Sequence, residues 1–268
     1  TYIGGTSSFY ARSAELVGVA QDDEGIVPES LAEVAARTKP KLLYTIPNFQ
    51  NPSGRLMTQQ RRAEVLRIAA EHDFLVIEDD PYGELLYVRE ADTLAMKSRD
   101  DDHRVIYLGS FSKVLAPGLR CGWIVAESDL LAKLEIAKQA ADLCSGMLDQ
   151  SIVDEFTAAG ELPAQIESVR TFYREKRGTM LEALEKHFAS RATWTPADGG
   201  LFTFVTLSDD IDTAALVPEA VAAGVAYIPG APFFVDGSGG NTMRLTFAKE
   251  NDERIREGIE RLARVIWG

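Results

Sequence analysis

The sequence predicts an α/β fold, a mostly parallel sheet with flanking helices, followed by a small C-terminal α+β domain. Three observations predict it. Short apolar runs alternate with amphipathic stretches through the first two thirds of the 268 residues. Three of those runs end at once in a polar cluster, as expected where ligands gather beyond the carboxyl ends of parallel strands. From Pro163 the pattern changes to a long helix, alternating strands and a closing helix. This change divides residues 1–162, a large domain, from residues 163–268, a small domain with a bridging helix.

The elements follow in order. Leu42–Ile46 is a buried-strand candidate closed by Pro47, and Thr58–Glu71 carries the helical spacing of Val65, Leu66 and Ala69. Phe74–Ile77 is the next apolar run and ends in Glu78, Asp79 and Asp80. Val105–Leu108 is a third run and Cys121–Val125 a fourth. Asp100–Asp102, between Arg99 and Arg104, reads as a solvated loop. Leu130 to Leu148 has a helical pattern, and Pro163 opens a helix reaching about His187. Gly199-Gly200 breaks the chain before a strand at Leu201–Leu207. Thr213–Ala223 reads as helix, Val225–Ile228 and Thr242–Phe247 as strands, and Glu253–Ile266 as an amphipathic helix.

Composition narrows the function classes. There are 28 Lys and Arg against 41 Asp and Glu, a net charge of −13. A chain this acidic is a poor partner for nucleic acid or an anionic membrane surface. The two cysteines, Cys121 and Cys144, are too few for a disulfide framework, and their apolar neighbours suggest buried thiols. His72, His103 and His187 lie far apart, without metal-ligand spacing, and read as surface or helix-end residues. No apolar run is long enough to span a bilayer, so a cytoplasmic enzyme is expected. The chain opens on Thr1 and reads from the start like the interior of a domain, so an upstream segment is also expected.

Three polar clusters carry the candidate chemistry. They are Asn48–Gly54, Glu78–Tyr82 and Gly109–Lys113. Lys113 stands before Val114, Leu115 and Ala116. Apolar surroundings lower a lysine's pKa and make its amine the nucleophile a Schiff base needs. Alone, Lys113 better fits a lysine whose stem reaches solvent. Ser110, Ser112 and Arg120 shift the balance, because hydroxyls and a planar cationic fork suit a phosphate. Asp79 at a buried strand end needs a cationic partner, either another side chain or a protonated ring nitrogen. Tyr82 and Asn51 fit polar contacts to the same ring, or a core tyrosine and a turn residue before Pro52.

The segments YTIPNFQNPSG, IEDDPYGELLY and YLGSFSKVLAPGLRCGW, in this order, closely resemble fold-type I pyridoxal-phosphate aminotransferases. They are similar to the branch holding 2-aminoadipate aminotransferases and the aminotransferase-like half of MocR-type regulators. The resemblance covers essentially the whole chain. It implies pyridoxal 5′-phosphate as cofactor and transamination between an L-amino acid and a 2-oxo acid, often 2-oxoglutarate, through a Schiff base on Lys113. Lys113 would also move the substrate's α-proton. Asp79 would pair with the ring nitrogen, and Tyr82 and Asn51 with the phenolic oxygen. Ser110, Ser112 and Arg120 would hold the phosphate. Tyr2 would stack on the ring, and Arg244, with Asn51, would meet the substrate carboxylate. The Asn51–Pro52 peptide is expected to be cis. A homodimer is implied too. A Gly-Ser-Gln-type phosphate loop, an N-terminal arm and a partner-subunit tyrosine, which the family carries upstream of Tyr2, are missing from this sequence.

Three further readings stay open. One is a transcription regulator that uses this fold to sense the cofactor or an effector. Another is a lyase or decarboxylase on the same cofactor. The third is a relic of the fold without activity. The amino donor is not legible in the sequence, because side-chain specificity depends on pocket shape.

Overall fold

The computed structural model describes residues 1–88 and 92–268. The strands are β1 (Gln21–Asp22), β2 (Gly25–Ile26), β3 (Leu42–Thr45), β4 (Leu75–Asp80), β5 (Val105–Ser110), β6 (Gly122–Val125), β7 (Thr193–Trp194), β8 (Phe202–Thr206), β9 (Ile228–Pro229) and β10 (Thr242–Thr246). The helices are α1 (Ile3–Tyr10), α2 (Pro28–Thr38), α3 (Gln59–Glu71), α4 (Ser128–Asp142), α5 (Met147–Ala158), α6 (Leu162–Phe188), α7 (Val217–Ala222) and α8 (Asp252–Trp267). The chain divides into two compact units. The first holds Thr1–Gly18, Phe49–Arg55 and Thr171–Gly268, and the second holds Val19–Asn48 and Leu56–Arg170.

The second unit is built on a four-stranded sheet in the order β3-β4-β5-β6. The first three strands are parallel, and β6 runs antiparallel to β5. Leu31 and Ala35 of α2 and Val65, Ile68 and Ala69 of α3 pack with Phe74, Val76 and Val105 into the core. Helix α3 starts where Thr58 accepts the Arg61 N–H on its hydroxyl (3.3 Å), a capping bond that serves one orphan donor of the first turn. Arg62 is 1% exposed yet fully engaged. Its guanidinium donates to Asn48 Oδ1 (2.6 Å) and to the carbonyls of Met57 and Leu94. Those bonds offset the cost of burying the charge.

The acidic run of β4 departs from the sequence reading. Glu78, Asp79 and Asp80 lie in the strand instead of following it, paired with Tyr107, Leu108 and Gly109 of β5. The strand tolerates them because each carboxylate is served. Glu78, fully buried, accepts the N–H groups of Met96 (2.7 Å) and Lys97 (2.9 Å). Asp101 and Asp102 are exposed as expected, but Asp100 turns inward. Its carboxylate accepts from the N–H of Arg104 (2.7 Å) and of Val105 (2.9 Å) and opens β5.

Other expectations need correction. The helical stretch from Leu130 to Leu148 is two helices, α4 and α5, broken where Leu143 adopts a positive φ of 62°. The thiols are not buried: Cys121 is intermediate and Cys144 exposed. The apolar neighbours of Cys144 are themselves on the surface, with Leu143 75% and Met147 70% exposed.

The first unit holds an antiparallel sheet in the order β7-β8-β10-β9. Met180, Leu184 and Phe188 of α6 are buried, as are Ile255, Ile259 and Leu262 of α8. Asn251 caps α8 by accepting the Arg254 N–H (2.9 Å). Phe188 meets Trp267 edge-on at 4.9 Å. Gly200 has φ 69°, and a Cβ there would stand 2.9 Å from the Cβ of buried Phe49, so only glycine fits this turn before β8. The helix expected over Thr213–Ala223 is only Val217–Ala222. Thr213 instead donates its hydroxyl to the carbonyls of Gly240 and Thr242. The strand expected over Val225–Ile228 pairs only at Ile228–Pro229.

Candidate functional site

Strand alternation sorts the groups of the second unit. Asp79 pairs with Leu108, so Ser110, two residues further on, projects from the same face of the sheet as Asp79. Asp80 points to the opposite face. Asp79 Oδ2 accepts the Tyr44 phenol at 2.5 Å. Tyr44 pairs with Ile77, which puts it diagonal to Asp79 across β3 and β4. Asp80 accepts from the Gly83 N–H (2.9 Å), the Tyr107 phenol (3.2 Å) and the Asn48 amide. Burial pushes the Asp79 carboxyl above its usual range; the Tyr44 bond opposes that shift and the charge of Asp80 adds to it. Burial likewise raises Asp80, against its hydrogen bonds to Asn48, Gly83 and Tyr107 and the charge of Arg62.

The segment after β5 holds the cationic groups. Lys113 is half-buried, and burial first, then the charge of Arg120, lowers its pKa from the ordinary lysine value. The Ser110 hydroxyl accepts the Ser112 N–H at 3.1 Å, which fixes the turn leading to Lys113. Arg120 is exposed, sits in the left-handed region at φ 53°, and donates to the Pro117 carbonyl (3.1 Å). A lysine, an arginine and two hydroxyls are thus gathered at the carboxyl end of a parallel strand, a favourable place for an anion. Tyr82 is 5% exposed and follows β4 by two residues.

In the first unit, Arg244 of β10 and Asn51 meet. The guanidinium donates to Asn51 Oδ1 at 2.8 Å, and Asn51 is 3% exposed. Arg244 also lies over the rings of Phe202 (4.2 Å) and Phe233 (5.2 Å), which hold the cation in place. The Asn51–Pro52 peptide is cis, as the resemblance implies. Tyr2 precedes α1 and is 42% exposed, its ring lying over Gly4.

The sequence reading therefore named Asp79, Ser110, Ser112, Lys113 and Arg120 in one unit and Asn51 with Arg244 in the other. It missed Tyr44, Asn48 and Tyr107 as partners of the acidic run. A tyrosine in the strand before a buried aspartate is the signal for Tyr44, but only the register of β3 against β4 gives it meaning. Among the described residues no helix is long and apolar enough to cross a membrane, and no group of three metal-ligating side chains is present.

Comparison with known proteins bears on the family and the fold. Residues 7–262 match the family model for aminotransferase class I and II. Aromatic-amino-acid aminotransferase 1 of Thermococcus litoralis is 44% identical over 99% of the chain, which spans 65% of that protein's length. The crystal structure of LysN, the α-aminoadipate aminotransferase of Thermus thermophilus, complexed with N-(5′-phosphopyridoxyl)-L-leucine, superposes with a TM-score of 0.94. It is 39% identical, over 99% of this chain and 69% of that one. An uncharacterised HTH-type transcriptional regulator of Bacillus subtilis, YdfD, is 32% identical over 99% of the chain, which covers 54% of its length. With the family model matched almost end to end and the fold shared with LysN, the chain belongs to the aminotransferase class I and II family, of fold-type I.

Proposed function

We propose that this chain catalyses transamination between an L-amino acid and a 2-oxo acid with pyridoxal 5′-phosphate as cofactor. The observation that carries the reading is Asp79. It is a partly buried carboxylate in a sheet, and among the described residues it has a phenol but no cationic side chain as partner. A protonated pyridine nitrogen would supply a positive charge there. Lys113 is the covalent anchor, its amine brought toward the neutral form by burial and by Arg120. Ser110, Ser112 and Arg120 hold the phosphate, and Tyr82 the phenolic oxygen. When bound, the cofactor supplies an electron sink for the pair left on the substrate's α-carbon.

The chain's own groups do the rest. Lys113, as a neutral amine, would serve as the base that takes the substrate's α-proton and later returns it. An ionised Asp79 would favour a cationic ring nitrogen. Arg244, steadied by Phe202, Phe233 and Asn51, offers a planar fork to the substrate carboxylate. Tyr2 offers an exposed ring face for stacking. An aromatic or 2-aminoadipate-like donor is the first class to test, given the two enzymes above. A cytoplasmic homodimer is part of the same reading.

The test is Lys113→Ala in protein loaded with pyridoxal phosphate. The visible absorbance of the covalently bound cofactor should vanish, and transamination should fall by several orders of magnitude. An unchanged spectrum rejects the assignment. A donor screen against 2-oxoglutarate then identifies the substrate, with parallel double-reciprocal plots as the sign of two half-reactions. The regulator reading rests on the Bacillus relative. A protein that holds the cofactor on Lys113 but converts no donor would favour it.

A further inference from the structure

We propose that Tyr44 is a positioning residue for Asp79: its phenol holds Oδ2 and leaves Oδ1 as the oxygen that meets a cationic ring nitrogen. The inference rests on the cofactor reading above for the nitrogen, but not for the hydrogen bond, which belongs to the protein alone.

The geometry is set by the sheet. Tyr44 pairs with Ile77 of β4, and Asp79 is two residues on, so both side chains rise from one face as diagonal neighbours. The 2.5 Å separation suits a hydroxyl donating to a charged carboxylate oxygen. Asp80 provides the contrast. On the opposite face, Tyr107 of β5 donates to Asp80 from the matching diagonal position, because it pairs with Glu78. Two consecutive carboxylates thus each receive one phenol, from the strand on either side. The two phenols are not equivalent. Asp80 has further donors in the Gly83 N–H and the Asn48 amide and feels the charge of Arg62. For Asp79, Tyr44 is the one hydrogen-bond donor among the described residues, and the near charge is the repelling one of Asp80.

Burial and Asp80 both favour the protonated form of Asp79, and a neutral Asp79 would hold no cation. Tyr44 acts against both. It stabilises the ionised carboxylate and fixes the rotamer, so that one oxygen is presented. Phenylalanine keeps the ring and removes only the donor.

The experiment is an infrared titration of the carboxyl stretch in cofactor-free protein, with Asp79→Asn subtracted to isolate the Asp79 band. Tyr44→Phe should weaken the acidity of Asp79 by about tenfold, the size expected for losing a hydrogen bond to a charged group. Its midpoint moves to higher pH. A midpoint unchanged from that of the parent protein overturns the proposal. If Tyr44→Phe does not fold, 3-fluorotyrosine at position 44 keeps the size and donates more strongly. The midpoint should then move to lower pH, and no movement again overturns the proposal. Failure of the cofactor reading would show instead as unchanged absorbance in Lys113→Ala.

Discussion

Two parts of the second unit differ sharply in how they are covered. Strands β3, β4 and β5 lie under α2 and α3, whose apolar positions are buried: Leu31 and Ala35 in one, Val65, Ile68 and Ala69 in the other. Strand β6, α4 and α5 are bare. No residue of α4 is buried and only Val153 of α5 is. Trp123, Ile124 and Val125 of β6 are each at least 40% exposed, and Ile136, Met147 and Leu148 about 70%. Both parts carry helix-forming sequences. The difference teaches that the apolar positions of α4 and α5, unlike those of α2 and α3, are not buried against the chain's own sheet. Lys113 stands, half-buried, on the segment joining the two parts.

The largest expected effect is at the covered side. Phe74→Ala should cost about 3–5 kcal/mol, because a fully buried ring leaves a cavity under α3. Chemical denaturation measures it, and a loss below about 1 kcal/mol would mean the two parts are equally loose. On the joining segment, the charge of Arg120 favours the neutral Lys113 amine. Arg120→Gln should therefore raise the pKa of Lys113. Reductive methylation of Lys113 at pH 8–9 in cofactor-free protein should slow several-fold, as read by peptide mass spectrometry. An equal or faster rate contradicts the sign. The smallest effect belongs to the bare side. Ile136→Ser should change stability by no more than about 0.5 kcal/mol, since its side chain is already in water. A loss above about 2 kcal/mol would show that α4 is covered in solution.

Much of this was legible in the sequence, and the exceptions have physical reasons. The apolar runs at Leu42, Phe74 and Val105 marked three parallel strands, and the polar residues at their ends marked the candidate site. The ends of β4 and β5 were not legible. Aspartate and glutamate disfavour strands, and nothing local says that Met96 and Lys97 will donate N–H groups to Glu78. Helix α2 had its signal in Pro28 and the spacing of Leu31 and Ala35, but no capping side chain announces it. Helix α1, with Gly4, Gly5, Ser7 and Ser8, has little propensity to read. Tyr44 looked like any strand residue until register put it beside Asp79. Cys144 looked buried because its neighbours are apolar, and the bare face explains why it is not.

The placing of Asp79 and Asp80 on opposite faces makes β4 sensitive in an unusual way. Side chains alternate with a period of two, so a one-residue slip of β4 against its neighbours would exchange the two carboxylates. The aspartate served by Asn48 and Gly83 would turn to the side of Ser110, and the one held by Tyr44 would turn away. A single deletion between the apolar start of the strand and the acidic pair would keep every functional residue in the chain, yet aim the wrong acid.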